Sequence, residues 1–283
     1  MRVKHFLILV TLASVIFLFN RSLSCYEKPE IQENRENRTN QLDVISDHNF
    51  KTALADDPQF IDYIRRELLH PPSPNSYALS NPSKVYFSQF DQSQYASNEL
   101  LHGMKGGFFV EAGALDGEYL SNTLYFEREL GWRGVLIEPH PEAYQNLLQK
   151  HRNAYAMNVA LSTSSQATEV PFVLANKYHE LSHIGKEGIK VKGIPLYSIL
   201  LALNVKIVDL LSLDIEAFEV KILQTIPWDK VKFRLMCIEI AHIPEGLNYL
   251  KKYLAEKGYK FLGVRNVDAW FGLPELLEEV KKT

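Results

Sequence analysis

From Val85 onward, short apolar runs alternate with amphipathic ones, and this alternation constrains the fold more than any other feature of the chain. Phe108–Ala112, Gly134–Ile137, Ala154–Leu161, Val170–Leu174, Val208–Leu213 and Phe233–Ile240 read as strands, with Tyr259–Gly263 and Ala269–Gly272 as closing strands. Between them Thr123–Leu130, Pro141–His151, Phe218–Thr225 and Glu245–Lys257 carry helical spacing; Pro141 opens one helix, and Gly131 and Gly258 end two others. Apolar strands joined by helical crossovers predict an α/β fold, a mostly parallel sheet with helices on both faces. Residues 85–283 suffice for one such domain. With 46% hydrophobic residues the chain can bury a core, and a formal charge of −3 supplies no basic field for nucleic acid. Cys25 and Cys237 are too few for a disulfide framework or a cysteine-built zinc site.

The N-terminus carries a different signal. Arg2 and Lys4 precede an uncharged apolar run from His5 to Phe19, closed by Asn20 and Arg21. At 1.5 Å per residue the run covers about 22 Å of a hydrocarbon core about 30 Å thick. Residues 1–24 are therefore either a signal peptide cleaved after Ser22-Leu23-Ser24 or an uncleaved signal anchor with snorkelling ends. Both readings send the remainder into the secretory lumen or outside the cell. Residues 25–48 are polar and read as a stalk, with a glycosylation sequon at Asn37-Arg38-Thr39. Asp57-Pro58 is an N-cap followed by proline at the first helical position, Phe60, Ile61, Ile64 and Leu68 follow at helical spacing, and Pro71-Pro72 ends that helix. Residues 71–84 then form a linker or a loop wrapped on the domain, so that 25–84 is stalk, short helix and linker.

Candidate chemistry gathers at strand ends. Phe109-Val110-Glu111-Ala112-Gly113-Ala114-Leu115-Asp116-Gly117 is a strand running into a loop with two glycines, which let backbone approach a ligand closely. In an open α/β sheet that loop is where ligands bind. The pattern is G-x-x-x-G, so neither the dinucleotide fingerprint nor a P-loop is present, and a nicotinamide oxidoreductase is excluded. Glu111 at the loop would repel a phosphate and suits a cationic ligand such as the sulfonium of S-adenosylmethionine. Glu138 ends the next strand, where a carboxylate accepts bonds from ribose hydroxyls, and Asn158 offers an amide on the adenine side. Asp214 and Glu216 end the Val208 strand, Asp214 facing the sulfonium or the methionine amine and Glu216 holding an acceptor or acting as base. Glu239 and His242 end the following strand and can join them, even around a divalent ion, but the combination is not diagnostic and no metal site is assigned. Cys237 reads as an inert core thiol, and Lys186–Lys192 as a lysine-bearing loop, a solvated connector or a lid.

The blocks Glu111–Gly117, Glu138-Pro139, Asn158–Ser162 and Leu213-Asp214-Ile215-Glu216 resemble the FkbM-type methyltransferase domain over residues 93–263. Within it, Gly107–Glu118, Leu120–Leu124 and Leu223–Trp228 resemble the subgroup typified by the insect protein Star, membrane-anchored proteins of the secretory route. The resemblance implies a Rossmann-like sheet that binds S-adenosylmethionine through Glu111, Gly113, Asp116, Gly117, Glu138, Asn158 and Asp214, with Asp214 and Glu216 as catalytic candidates. One position departs from the family pattern: Ala217 stands where Asp-x-Glu-Gly would place glycine. If that position needs a positive φ, alanine costs about 1 kcal/mol or more. Two functions follow, of which the sequence favours the first, with the second as its alternative. The subgroup implies escort of membrane cargo between endoplasmic reticulum, Golgi and endosome. The acidic set implies instead a lumenal O-methyltransferase acting on a glycan or a small hydroxylated substrate.

Overall fold

The computed structural model describes Ile45, residues 50–175 and residues 182–281. The apolar run, most of the polar stalk, Cys25 and the Asn37 sequon lie outside these residues. Among the described residues no helix is long and apolar enough to cross a membrane.

Seven strands form the main sheet: β1 (Phe108–Ala112), β2 (Arg133–Ile137), β3 (Tyr155–Met157), β8 (Ile207–Leu213), β9 (Lys232–Glu239), β10 (Lys260–Arg265) and β11 (Asp268–Gly272). Their order is β10-β11-β9-β8-β1-β2-β3. The pairs from β3 to β9 are parallel, and only β11 runs antiparallel to its neighbours β9 and β10. The sheet is thus mostly parallel, as the apolar runs predict. Strand order reverses at β1, which lies between β2 and β8 and creates the crevice where open α/β sheets bind ligands.

Helices cover both faces because strand residues alternate sides. Val110, Ala112 and Ile137 join one apolar cluster with α1 (Pro58–Tyr63), α5 (Leu196–Ala202), α6 (Glu219–Gln224) and α7 (Leu247–Glu256). Phe109, Leu136 and Cys237 join another with α3 (Leu124–Leu130) and α4 (Pro141–Gln149). A short α2 (Gln92–Tyr95) precedes β1, and α8 (Pro274–Val280) closes the chain.

One compact unit runs from Ile45 to Thr283 and so takes in residues 50–84 as well. Asp57 caps α1 as its sequence predicts, accepting bonds from the Gln59 and Phe60 amides. Phe50, Phe60, Tyr63 and Ile64 are buried in the first cluster. Arg65 then donates to the Ala202 and Leu201 carbonyls, capping the C-terminus of α5. The segment 70–84 follows the domain surface: His70 exchanges backbone bonds with Ala156 on edge strand β3, and the Ser73 and Ala78 amides donate to Arg152 and Lys150 carbonyls. This covers a sheet edge that would otherwise stand open.

Two local expectations change. Ala154–Leu161 is not one strand: β3 stops at Met157, and β4 (Ala160–Leu161) belongs to a second sheet. The break falls at Asn158, whose amide donates to the Glu138 and Pro139 carbonyls and turns the chain. The lysine-bearing loop is largely strand β7 (Ile189–Ile194), paired with β4 and β5 (Thr168–Val173); β6 (His183–Ile184) completes the order β4-β7-β5-β6. Val191 is buried on one face, while Lys190 is exposed and half-buried Lys192 lies over the Phe50 and Tyr63 rings, a period of two.

Candidate functional site

Register builds the site. Ala112 pairs with both Ile137 and Leu213, Ile137 with Met157, and Leu213 with Ile238. The next residue along each strand therefore stands in one row at the carboxyl edge: Asn158, Glu138, Gly113, Asp214 and Glu239. Asp268, the first residue of β11, pairs with Glu239 and extends the row. A cleft of about 260 Å³ opens above it, at the small end of the range of about 300–1,000 Å³ for ligand pockets. Glu111, Glu138, Asp214, Glu216 and Glu239 line it with His242, and no Lys or Arg is among the described lining residues.

Glu138 is buried at the mouth of the crevice. Its Oε2 accepts the Leu115 amide at 2.8 Å and its Oε1 the His140 amide at 2.7 Å. Burial pushes its pKa up to about 7 against the opposing pull of those two N–H groups. Two donors leave a carboxylate with further acceptor capacity, so its expected role toward ribose hydroxyls is geometrically open.

Glu111 lines the cleft and is also bonded within the protein. Its Oε1 accepts the Asn122 amide at 2.6 Å, and its Oε2 accepts the Ser121 and Thr123 hydroxyls at 2.9 and 2.5 Å. Burial raises its pKa, with Arg152 and these bonds opposing. It therefore anchors the 121–123 turn and presents Asn122 to the cleft, where the Asn122 amide donates to Ser212 and its Oδ1 is buried without a partner. Arg152 supports the same turn, donating to Ser121 and Thr123 and pairing with buried Glu127 at 2.9 Å.

Three expected cofactor residues stand back from the cleft. Asp116 is an Asx turn whose Oδ1 accepts the Glu118 and Tyr119 amides. Gly117 has a φ of +75° and its carbonyl accepts from Arg152. Asn158 acts on the Glu138 strand end, as described above. Gly113 does line the cleft, at a φ of +86°, but a Cβ there would overlap the Asp214 carbonyl oxygen. The close approach this glycine permits is therefore to protein backbone.

Asp214 borders the cleft and is ringed by acids. Its side chain opens on the cleft, yet the protein crowded around it raises its pKa well above the usual range, and the Glu239, Glu216, Glu219 and Asp268 carboxylates add to the shift. Glu216 meets His242, with Nδ1 2.9 Å from Oε2. Glu216 and Ala217 have φ values of +58° and +79°, so the position where the family pattern carries glycine is left-handed here. Sequence reading passed over Asn122, Arg152 and Glu219. For Asn122 the signal was its place beside Ser121 and Thr123, within reach of a strand-end glutamate; for the other two there was none short of the fold.

A nucleotide-type crevice at the switch point of a mostly parallel sheet, edged by acids, defines the class. The model of the Methyltransferase FkbM domain matches residues 111–261, and the chain belongs to that family. Among solved structures, a methyltransferase FkbM from Methylobacillus flagellatus KT is 15% identical with a TM-score of 0.40, covering 75% of this chain and 50% of its own. The chain thus spans half the length of that protein. A SAM-dependent methyltransferase from Aquifex aeolicus is 13% identical with a TM-score of 0.35, covering 68% of this chain and 91% of its own. The human methyltransferase 10 domain containing protein is 12% identical with a TM-score of 0.37, covering 76% of this chain and 96% of its own. No curated protein sequence matches.

Proposed function

We propose that the cleft binds S-adenosylmethionine and that the chain methylates a hydroxyl group, on a glycan or a small hydroxylated substrate. The observation that carries this reading is the acidic lining of the cleft: five carboxyl groups and one imidazole line it, with no Lys or Arg among the described lining residues. A dinucleotide pyrophosphate would find no cation among those residues, whereas a ligand with a sulfonium and an ammonium finds acidic partners. The residues present fit the ligand. Glu138 retains acceptor capacity for ribose hydroxyls, apolar Ile137, Val159 and Leu161 line the adjoining wall, and the unpartnered Asn122 Oδ1 suits an ammonium donor.

When bound, S-adenosylmethionine supplies an electrophilic methyl group. The protein's part is to align the acceptor and take its proton. Glu216 holds the Nδ1 side of His242, which leaves Nε2 as the base toward an acceptor hydroxyl. Calorimetric titration of the full-length chain with S-adenosylmethionine and S-adenosylhomocysteine tests the reading. Dissociation constants near 1 μM, about −8 kcal/mol, support it; a folded chain that takes up neither ligand sinks it.

A second reading is favoured by the apolar run 5–19 and the polar stretch behind it: a Star-like, membrane-tethered escort of transmembrane cargo in the secretory and endosomal route, its domain lumenal or extracellular. Glu138→Ala separates the two, since escort should survive a variant that no longer binds the cofactor. Loss of cargo transport by a folded Glu138→Ala protein would count against a cofactor-independent escort.

A further inference from the structure

We propose that Asp214, Glu219 and Glu239 hold a divalent cation at the floor of the cleft. The three come from the end of β8, the first turn of α6 and the end of β9, and one carboxylate oxygen from each lies within 4.8 Å of the others. Two oxygens on one ion stand at most about twice the metal–oxygen distance apart, about 4.2 Å for Mg²⁺ and about 5 Å for Ca²⁺. A separation below that bound lets one oxygen from each residue reach a single oxygen-seeking divalent ion such as Ca²⁺, for which Mn²⁺ serves as a spectroscopic probe.

A cluster of acids alone would not carry this. The second observation is two orphaned oxygens. Glu219 is fully buried; its Oε1 accepts the Ile215 amide at 2.9 Å, while its Oε2 is buried without a partner. Glu239 is 6% exposed; its Oε1 accepts the Ala241 amide at 2.6 Å, while its Oε2 is likewise buried without a partner. A buried carboxylate oxygen left unpaired is costly, and two of the three residues in this cluster carry one.

Protein groups do not settle this charge. Among the described residues no Lys or Arg forms an ion pair with any of the three, and His242 reaches Glu239 only at 4.0 Å while meeting Glu216 at 2.9 Å. A hard cation answers both orphaned oxygens at once and leaves open coordination positions toward the cleft through Asp214. That those positions hold the acceptor oxygen rests on the methyl-transfer reading; the cation site itself does not.

The test is Mn²⁺ titration of the chelator-stripped full-length chain, with free Mn²⁺ read by electron paramagnetic resonance and melting followed in parallel. Expected are one Mn²⁺ per chain, displaced by Ca²⁺, a raised melting temperature, and at least tenfold weaker binding in both Glu219→Gln and Glu239→Gln. In chelator these isosteric variants should melt no lower than the parent, because each removes a repelling charge. A folded parent chain that takes up no Mn²⁺, or variants that bind it undiminished, overturns the proposal. Glu138→Gln keeps the two readings apart: it should bind Mn²⁺ as the parent does while losing S-adenosylhomocysteine. Parent protein that binds Mn²⁺ but not S-adenosylhomocysteine would leave the cation site standing and remove the proposed function.

Discussion

Gly113 and Asp214 meet backbone to backbone across the switch point, with no room for a Cβ between the glycine and the Asp214 carbonyl oxygen. The Asp214 amide in turn donates to Ala112, and the Gly113 amide to Ile137, so this contact ties the ends of β2, β1 and β8 together. Gly113→Ala combines a left-handed φ with a backbone clash that no side-chain movement relieves. It should cost about 3 kcal/mol or more, near the top of what single substitutions do. Urea unfolding checks this, and a loss below about 1 kcal/mol would mean the loop yields freely.

Ala217 raises the opposite expectation. A φ of +79° strains alanine by about 1–2 kcal/mol, while glycine gives back about 0.4–1 kcal/mol through its freer unfolded chain. Ala217→Gly should therefore raise stability by about 0.5 kcal/mol, where the same change inside a helix lowers it by about 1 kcal/mol. A lower melting temperature for this variant would show that the alanine is not strained.

Arg152 and Glu127 form a fully buried pair, and Arg152 also reaches the Gly117 carbonyl and the Ser121 and Thr123 hydroxyls. Glu127→Ala leaves that guanidinium uncompensated and should cost about 3–5 kcal/mol. Glu127→Leu combined with Arg152→Met should cost less than the two single changes together. Additive losses in that double-mutant cycle would mean the charges are not coupled.

Much of the site was legible because each central strand is an apolar run ending at a polar residue: Ile137 before Glu138, Leu213 before Asp214, Ile238 before Glu239. Parallel pairing then brings those ends level, which periodicity alone implies. What escaped was whatever depends on pairing between distant segments. Glu219 looks like an ordinary first-turn helix acid, and only the packing of α6 beneath β8 and β9 buries it among other acids. The bonds that Ser121 and Thr123 give Glu111 were hidden because both residues lie on a loop whose path no local pattern determines. Strand β7 was hidden by its lysines, by Gly193 and by the glycines just before it, although Ile189, Val191 and Lys190, Lys192 alternate.

Glu138 links cofactor affinity to pH. Its pKa near 7 makes the carboxyl group mostly protonated at pH 6 and mostly ionised at pH 8. Ribose hydroxyls donate best to the ionised form, so affinity for S-adenosylhomocysteine should rise about tenfold over that interval. Stability should move the other way. The folded pKa lies above the unfolded value of 4.5, so the folded state holds the extra proton, and stability falls as pH rises from about 4.5 to about 7. The contribution of this one group is at most about 3 kcal/mol. Glu138→Gln should flatten both trends. Calorimetry and thermal melts at pH 5, 6 and 8 on parent and variant decide it: affinity that does not change with pH in the parent would mean that Glu138 is ionised throughout or does not meet the ligand.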